Sequence, residues 1–251
     1  MSDGGATLRI DPHVHSEGSY DGREPVELIL EHAADIELDG VVITDHDTIE
    51  ESRRAAELAP EYGLVGIPGV EVSTGAGHLL AIGVDERPPK GRPLAETVET
   101  VRELGGAAVV PHPFQRSRHG VRKRNIVDCD GIEVYNSMLF TGYRNRRAHT
   151  FARRRHYPKI GASDAHVIPY VGRAFTEVRL PDVEPGTPPS AVEAASVVDS
   201  LRAGETRIAG KRTPVHRSAR QYAKGAARRT AFYVTSTLPG LEPWPVSMRN
   251  L

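Results

Sequence analysis

A single cysteine, Cys129, occurs in 251 residues. It excludes an internal disulfide framework and any thiolate-based metal site, so a metal would have to be held by histidine and carboxylate. Long apolar runs are also missing. The stretch His78-Leu79-Leu80-Ala81-Ile82 is among the longest, far short of the roughly 20 residues that cross a bilayer. No basic start leads into an apolar segment, and the expectation is a soluble, cytoplasmic protein with no membrane partner. No glycine-rich phosphate loop follows the first predicted strand, which weighs against a dinucleotide-binding doubly wound sheet. There is no internal repeat or low-complexity tract, and the first lysine is Lys90.

What is present is an uneven distribution of charge. The formal net charge is -1, yet residues 1–100 carry 7 Lys+Arg against 21 Asp+Glu, and residues 101–251 carry 25 against 12. The first part can supply cation-binding carboxylates and the second anion-binding guanidiniums, although most such charges simply form solvated helix faces. With 39% hydrophobic residues, the chain can bury a large core as one domain.

Short β-rich runs alternate with helical patterns. Strands are predicted near 7–12, 40–47, 64–72, 78–84, 107–113, 131–136 and 159–166, several of them continuously apolar as parallel strands covered on both faces are. Helices are predicted at 25–38, 49–60, 94–104 and 141–156. This alternation implies an α/β class with right-handed crossovers, as either a barrel or a doubly wound sheet. A Pro-rich connector, "PDVEPGTPPS", separates residues 1–180 from a C-terminal extension, 181–251, expected to pack on them within the same domain. The extension holds a helix near 190–203, a strand near 205–210 and a basic segment, 211–229.

Histidines and acids gather at the ends of the predicted strands, where barrels of this kind carry their chemistry. The first strand ends in His13 and His15, the second in Asp45-His46-Asp47, the third in Glu71. The fourth begins at His78, the fifth ends in His112, and the seventh runs into Asp164 and His166. Asp21 follows the first strand. Residues two apart on an extended segment point the same way, so His13 and His15 can meet one ion, and Asp164 and His166 repeat the spacing. Imidazole and carboxylate ligands without thiolate suit manganese, iron or zinc, and nine ligands are enough for two or three divalent ions. A lone histidine is more often a satisfied polar group than a ligand, and that bland reading is kept for His32, His119, His149, His156 and His216.

The ordered segments "DPHVHSEGSYDG", "ITDHDT", "PGVEVST", "GHLLAIG", "VVPHPF" and "GASDAH" resemble the motifs of the PHP (polymerase and histidinol phosphatase) family of metal-dependent phosphoesterases, across most of residues 8–180. The resemblance implies a distorted seven-stranded β/α, TIM-like barrel and a trinuclear centre. One ion would take His13, His15, Glu71 and Asp164. A second would share Glu71 and take His78 and His112, and a third would take Asp21, His46 and His166. Turnover would depend on Glu71, Asp164 and His166. Only 33 residues separate His78 from His112, too few for the inserted substrate-covering domain of nucleotide-acting relatives.

Such a centre, near +3 with neutral imidazoles, suits an anionic substrate, and divalent ions bring the pKa of water from about 16 to roughly 7–9. The expected reaction is attack of a metal-bridging hydroxide on the phosphorus of a small phosphorylated metabolite or a nucleotide. Metal-bound water or His119 would protonate the leaving group. Arg116 and Arg118 are candidates to fork onto phosphate, with Asn136 and Ser19 to orient it, and Asp45 and Asp47 to brace histidine ligands. Competing readings are an exonuclease, an amidohydrolase that also begins with His-x-His, and a nucleic-acid-binding module using residues 211–229. Amidohydrolase-type sites usually bridge through a modified lysine or a carboxylate, and Glu71 already occupies that place.

Overall fold

The structure, a computed structural model, describes residues 4–115, 119–139 and 142–211, with isolated positions 223, 227, 230 and 234 beyond them. Nine strands are described: β1 (Ala6–Val14), β2 (Gly40–Ile43), β3 (Gly69–Thr74), β4 (Gly77–Ile82), β5 (Ala107–Val110), β6 (Gly131–Asn136), β7 (Lys159–Ala162), β8 (Ala174–Leu180) and β9 (Thr206–Gly210). Five α-helices accompany them: α1 (Val26–Asp35), α2 (Glu50–Leu58), α3 (Leu94–Glu103), α4 (Gly142–Arg155) and α5 (Ala194–Ala203).

Local sequence accounts for much of this. In α1, Val26, Ile29, Leu30 and Ala33 fall at helical spacing and are all buried. They pack with Val14, Val41 and Ile43 of the neighbouring strands. The run Val41-Val42-Ile43 is buried on both faces. Gly40 starts that strand because a Cβ there would come within 2.7 Å of the Val65 side chain. Each fully buried Leu, Ile or Val contributes on the order of 1.5–3 kcal/mol.

The hydrogen-bond ladders draw two sheets, β2-β1-β8-β9 and β3-β4-β5-β6-β7. Where seven strands were expected, nine are described, in two sheets of mixed direction. β1 pairs with β2 in parallel, as do β5 with β6 and β6 with β7, but β4 runs antiparallel to both β3 and β5. The turn Gly75-Ala76, with Gly77 at φ 134°, makes β3 and β4 a hairpin rather than a crossover. Isolated parallel bridges tie the sheets together, Val14 with Ala165 at one seam and Gly40 with Val65 and His46 with Glu71 at the other.

Residues 181–211 continue the same body. β9 extends the first sheet by pairing antiparallel with β8, and Val197, Val198 and Leu201 of α5 are buried against Ile82, Val109 and Val178. That apolar cluster also takes Ile10, Val42 and Leu80, so it draws on both sheets. On β4 the buried face running Ile82, Leu80, His78 passes from this core into a polar layer.

Candidate metal centre

The backbone brings the strand ends together before any side chain is considered. Asp164 N–H donates to His13 carbonyl oxygen at 2.9 Å and His15 N–H to Ala165 oxygen at 2.8 Å, so residues 13–15 and 164–166 lie side by side. Glu71 N–H donates to Asp45 oxygen at 3.2 Å and Asp47 N–H to Glu71 oxygen at 3.0 Å, which sets His46 beside Glu71. His78 stands at the start of β4, and because that strand is reversed, its first residue reaches the rim where β1, β3 and β5 end. A register irregularity between Asp11 and Val14 falls at His13 itself. His112 and Asp164 adopt φ of 28° and 56°, left-handed conformations that cost free energy and that concentrate at functional sites.

All nine side chains singled out above converge. His13 Nε2 lies 3.2 Å from His15 Nε2. Glu71 Oε2 is 3.4 Å from each of these nitrogens, and Asp164 Oδ1 is 3.5 Å from each. Glu71 Oε1 faces the other way, 2.7 Å from His78 Nδ1 and 3.0 Å from His112 Nε2. Asp21 Oδ2 lies 3.2 Å from both His46 Nε2 and His166 Nε2. His46 joins the groups, its Nδ1 being 3.2 Å from Glu71 Oε2. Five overlapping sets of three residues from this cluster have donor atoms close enough to share an ion.

The donor set fits divalent cations. A tetrahedral ion with ligand bonds of about 2.1 Å needs ligand atoms about 3.4 Å apart, and the five separations among His13, His15, Glu71 and Asp164 span 3.2–3.5 Å. His13 also has the support expected of a ligand. Its Nδ1–H donates to Glu133 Oε1 at 3.0 Å, which fixes the tautomer and leaves the Nε2 lone pair aimed at the cluster.

Electrostatics favours cations throughout. Burial opposes ionisation of Glu71, but the surrounding histidines, His78 first and then His46 and His13, outweigh it and hold the carboxyl well below its usual range. For Asp21 burial is again outweighed, here by His46 and His166. Asp164 is lowered in the same way, chiefly by His13. Burial together with the positive field of His166 brings His15 down to about 4. His46 goes the other way, because Asp21 and Glu71 overcome its burial and push it up to about 9. Ionised acids facing basic imidazoles form a centre in which protons and metal ions compete.

Four sequence assignments change. Asn136 is fully buried, and its amide donates to Glu133 Oε2 and Asp164 Oδ2, both at 3.0 Å, while its oxygen accepts Met138 N–H. It ties two carboxylates of the cluster together. Ser19 is likewise buried, donating to Asp21 Oδ1 at 2.8 Å. Asp45 and Asp47 hold loop backbone rather than imidazoles: Asp45 accepts from the N–H and hydroxyl of Ser16, Asp47 from Ser73 N–H. Arg116, Arg118 and nearly all of the basic 211–229 segment lie outside the described residues. His119 stands close to the cluster, its ring 4.4 Å from that of His78.

Two buried acids escaped the sequence reading. Glu133 supports His13 and also accepts the His112 N–H. Its only signal was a carboxylate inside the otherwise apolar strand "GIEVYN". Asp11, pushed by burial up to about 6, accepts from Ser163 and Gly172 N–H and ties the β7–β8 connection to β1.

Comparison with known proteins agrees with this architecture. Residues 142–206 match the family described as PHP-associated. The protein MJ1587 of Methanocaldococcus jannaschii is 31% identical over 152 residues, covering 56% of this chain and 89% of its own. A phosphoribosyl 1,2-cyclic phosphate 1,2-diphosphodiesterase of Eggerthella lenta is 36% identical over 85 residues, 32% of each chain. In fold, the chain is similar to a two-domain Bacteroides vulgatus protein described as containing a predicted PHP-like metal-dependent phosphoesterase, with a TM-score of 0.61 at 20% identity over 88% of this chain and 71% of that one. From relatives alike in sequence and neighbours alike in fold, the chain belongs to the PHP family.

Proposed function

We propose that the chain hydrolyses a phosphate ester of a small metabolite or a nucleotide, using two or three divalent ions, manganese, iron or zinc, held by the nine clustered residues. The observation that carries this reading is the division of Glu71, one oxygen toward His13 and His15 and the other toward His78 and His112. One carboxylate facing two separate imidazole sets is an arrangement for neighbouring ions. On this reading the two sheets, tied at both seams by isolated bridges, act as a distorted barrel whose rim carries the centre.

Divalent ions there supply hydroxide near neutral pH and neutralise charge on the phosphoryl oxygens. The protein's part is positional. Glu71, Asp164 and Asp21 bring negative charge that keeps ions in place, and Glu133 holds His13 by Nδ1 so that Nε2 is the nitrogen turned to the cluster. Asn136 links Glu133 to Asp164, so the first ligand set is held as one unit. His119, beside His78, is the described side chain best placed to protonate a leaving alkoxide.

Metal analysis of the purified protein, run alongside phosphate release from nucleotides, bisphosphates, sugar phosphates and histidinol phosphate, tests the proposal. Two or three bound ions with metal-dependent release from one ester class supports it. Absence of bound metal, or hydrolysis confined to amides, refutes it.

A further inference from the structure

Helix α4 carries six arginines and no acid in fourteen residues. Among the described residues none of the six is ion-paired, whereas Arg54, Arg92, Arg102, Arg179 and Arg207 all have acidic partners. Arg153, Arg154 and Arg155 in the last turn suit the partial negative charge at a helix C-terminus. Arg144 sits in the first turn, where that field disfavours a cation, and Arg146 and Arg147 lie beyond its reach, so the helix dipole explains none of the three.

Tyr143, Arg146, Arg147, Thr150, Arg153 and Arg154 fall on one face of the helix. The opposite face buries Asn145, Ala148 and Ala152. Tyr143 is 69% exposed. The N-terminal end of the helix is tied to the metal centre on both faces. On the buried face Asn145 exchanges hydrogen bonds with the backbone of Asn136, whose side chain donates to Asp164. Arg147 lies 4.7 Å above the ring of Phe114, two residues after His112.

A single phosphate group would meet one or two of these arginines. A face about 18 Å long with guanidiniums that have no acidic partner along it and an exposed aromatic ring at the inner end matches a run of phosphates bearing stackable bases. The ligand side chains are almost wholly buried, which favours entry of a strand end over the side of a duplex. We propose that this face of α4 is a track for single-stranded nucleic acid that leads a strand end to the metal centre. The proposal rests on the phosphoesterase reading and narrows its substrate class to oligonucleotides.

The test is fluorescence anisotropy with a fluorescein-labelled, phosphorothioate-linked single strand of about 12 nucleotides, read across a salt series on the metal-loaded protein. Binding should weaken steeply with salt. The combined variant Arg146→Gln, Arg153→Gln, Arg154→Gln changes only exposed positions and should bind at least tenfold more weakly, with the slope of log K against log salt shallower by about 2. Circular dichroism verifies that the variant is folded. A salt-independent signal, equal affinity in the variant, or preference for phosphatidylglycerol vesicles or duplex over the single strand overturns the track. Because binding is read without turnover, its failure in a protein that still hydrolyses bis(4-nitrophenyl) phosphate rejects only the track. Absence of ester hydrolysis with intact strand binding rejects only the phosphoesterase reading.

Discussion

Replacing Glu71 by glutamine would remove the shared charge between two imidazole sets while keeping the side chain's shape. We expect Glu71→Gln to lose bound metal and reduce turnover by several orders of magnitude with the secondary structure unchanged, measured by metal analysis, hydrolysis rate and circular dichroism. Retained metal content would contradict the bridging role. Glu133→Gln keeps an acceptor for one partner but weakens the hold on His13, and loss of such a support typically lowers metal affinity by about 10–100-fold. Calorimetric metal titration checks this, and unchanged affinity would show that Glu133 is only a buried packing group. The nine clustered positions were legible because each lies in a short motif at a strand end. Glu133 was not, since one acid in an apolar strand gives no spacing to recognise. Ser19 and Asn136 donate to carboxylates of the cluster, a contact that sequence does not announce, since a small polar residue near ligands looks the same whether it faces substrate or holds a carboxylate.

Among the elements, β4 shows the limit of periodicity most clearly. "HLLAI" is buried throughout, and a fully buried strand has no alternation to reveal its direction. Its reversal puts His78, rather than its C-terminal end, at the rim. The loop after β1 makes a different demand. A Cβ on Gly22 would sit 1.8 Å from the Ser16 carbonyl oxygen, so Gly22→Ala must displace the turn that carries Asp21. We expect that variant to hold one fewer ion per chain and to lose activity, while His13, His15 and Glu71 still bind metal. Elemental analysis of the variant checks this, and wild-type metal content with full activity would show that Asp21 needs no such placement. The helices were the most readable parts. Four of the five are anchored by apolar residues three and four positions apart, as in Leu94, Val98 and Val101 of α3, whereas the arginine-rich face of α4 has no apolar pattern to declare its role.

At the scale of the whole molecule, the polar centre caps an apolar interior that does not depend on it. No described helix is long and apolar enough to cross a membrane. The extension, set apart in sequence by its prolines, adds α5 and β9 to the body: apolar residues of α5 complete the core beneath β5 and β8, and β9 pairs with β8. Cys129 lies in a second apolar cluster, with Ile132 and Val134 of β6, and burial pushes its thiol up to about 12 from 9.0. It should therefore resist thiol reagents at pH 8 until the chain unfolds. The raised value means the folded state holds the proton more tightly, so this contribution to stability is complete below pH 9 and is lost as the pH rises toward 12. Denaturant midpoints of wild type and Cys129→Ala across that range should converge at the alkaline end, and parallel curves would contradict the assignment. The central claim, that side chains distant in sequence hold catalytic divalent ions, is tested most directly by the rate of phosphate-ester hydrolysis before chelation, after it and after metal is restored. The account predicts loss of hydrolysis on stripping and recovery on adding Mn²⁺ or Zn²⁺, and an undiminished rate in the metal-free protein would contradict it.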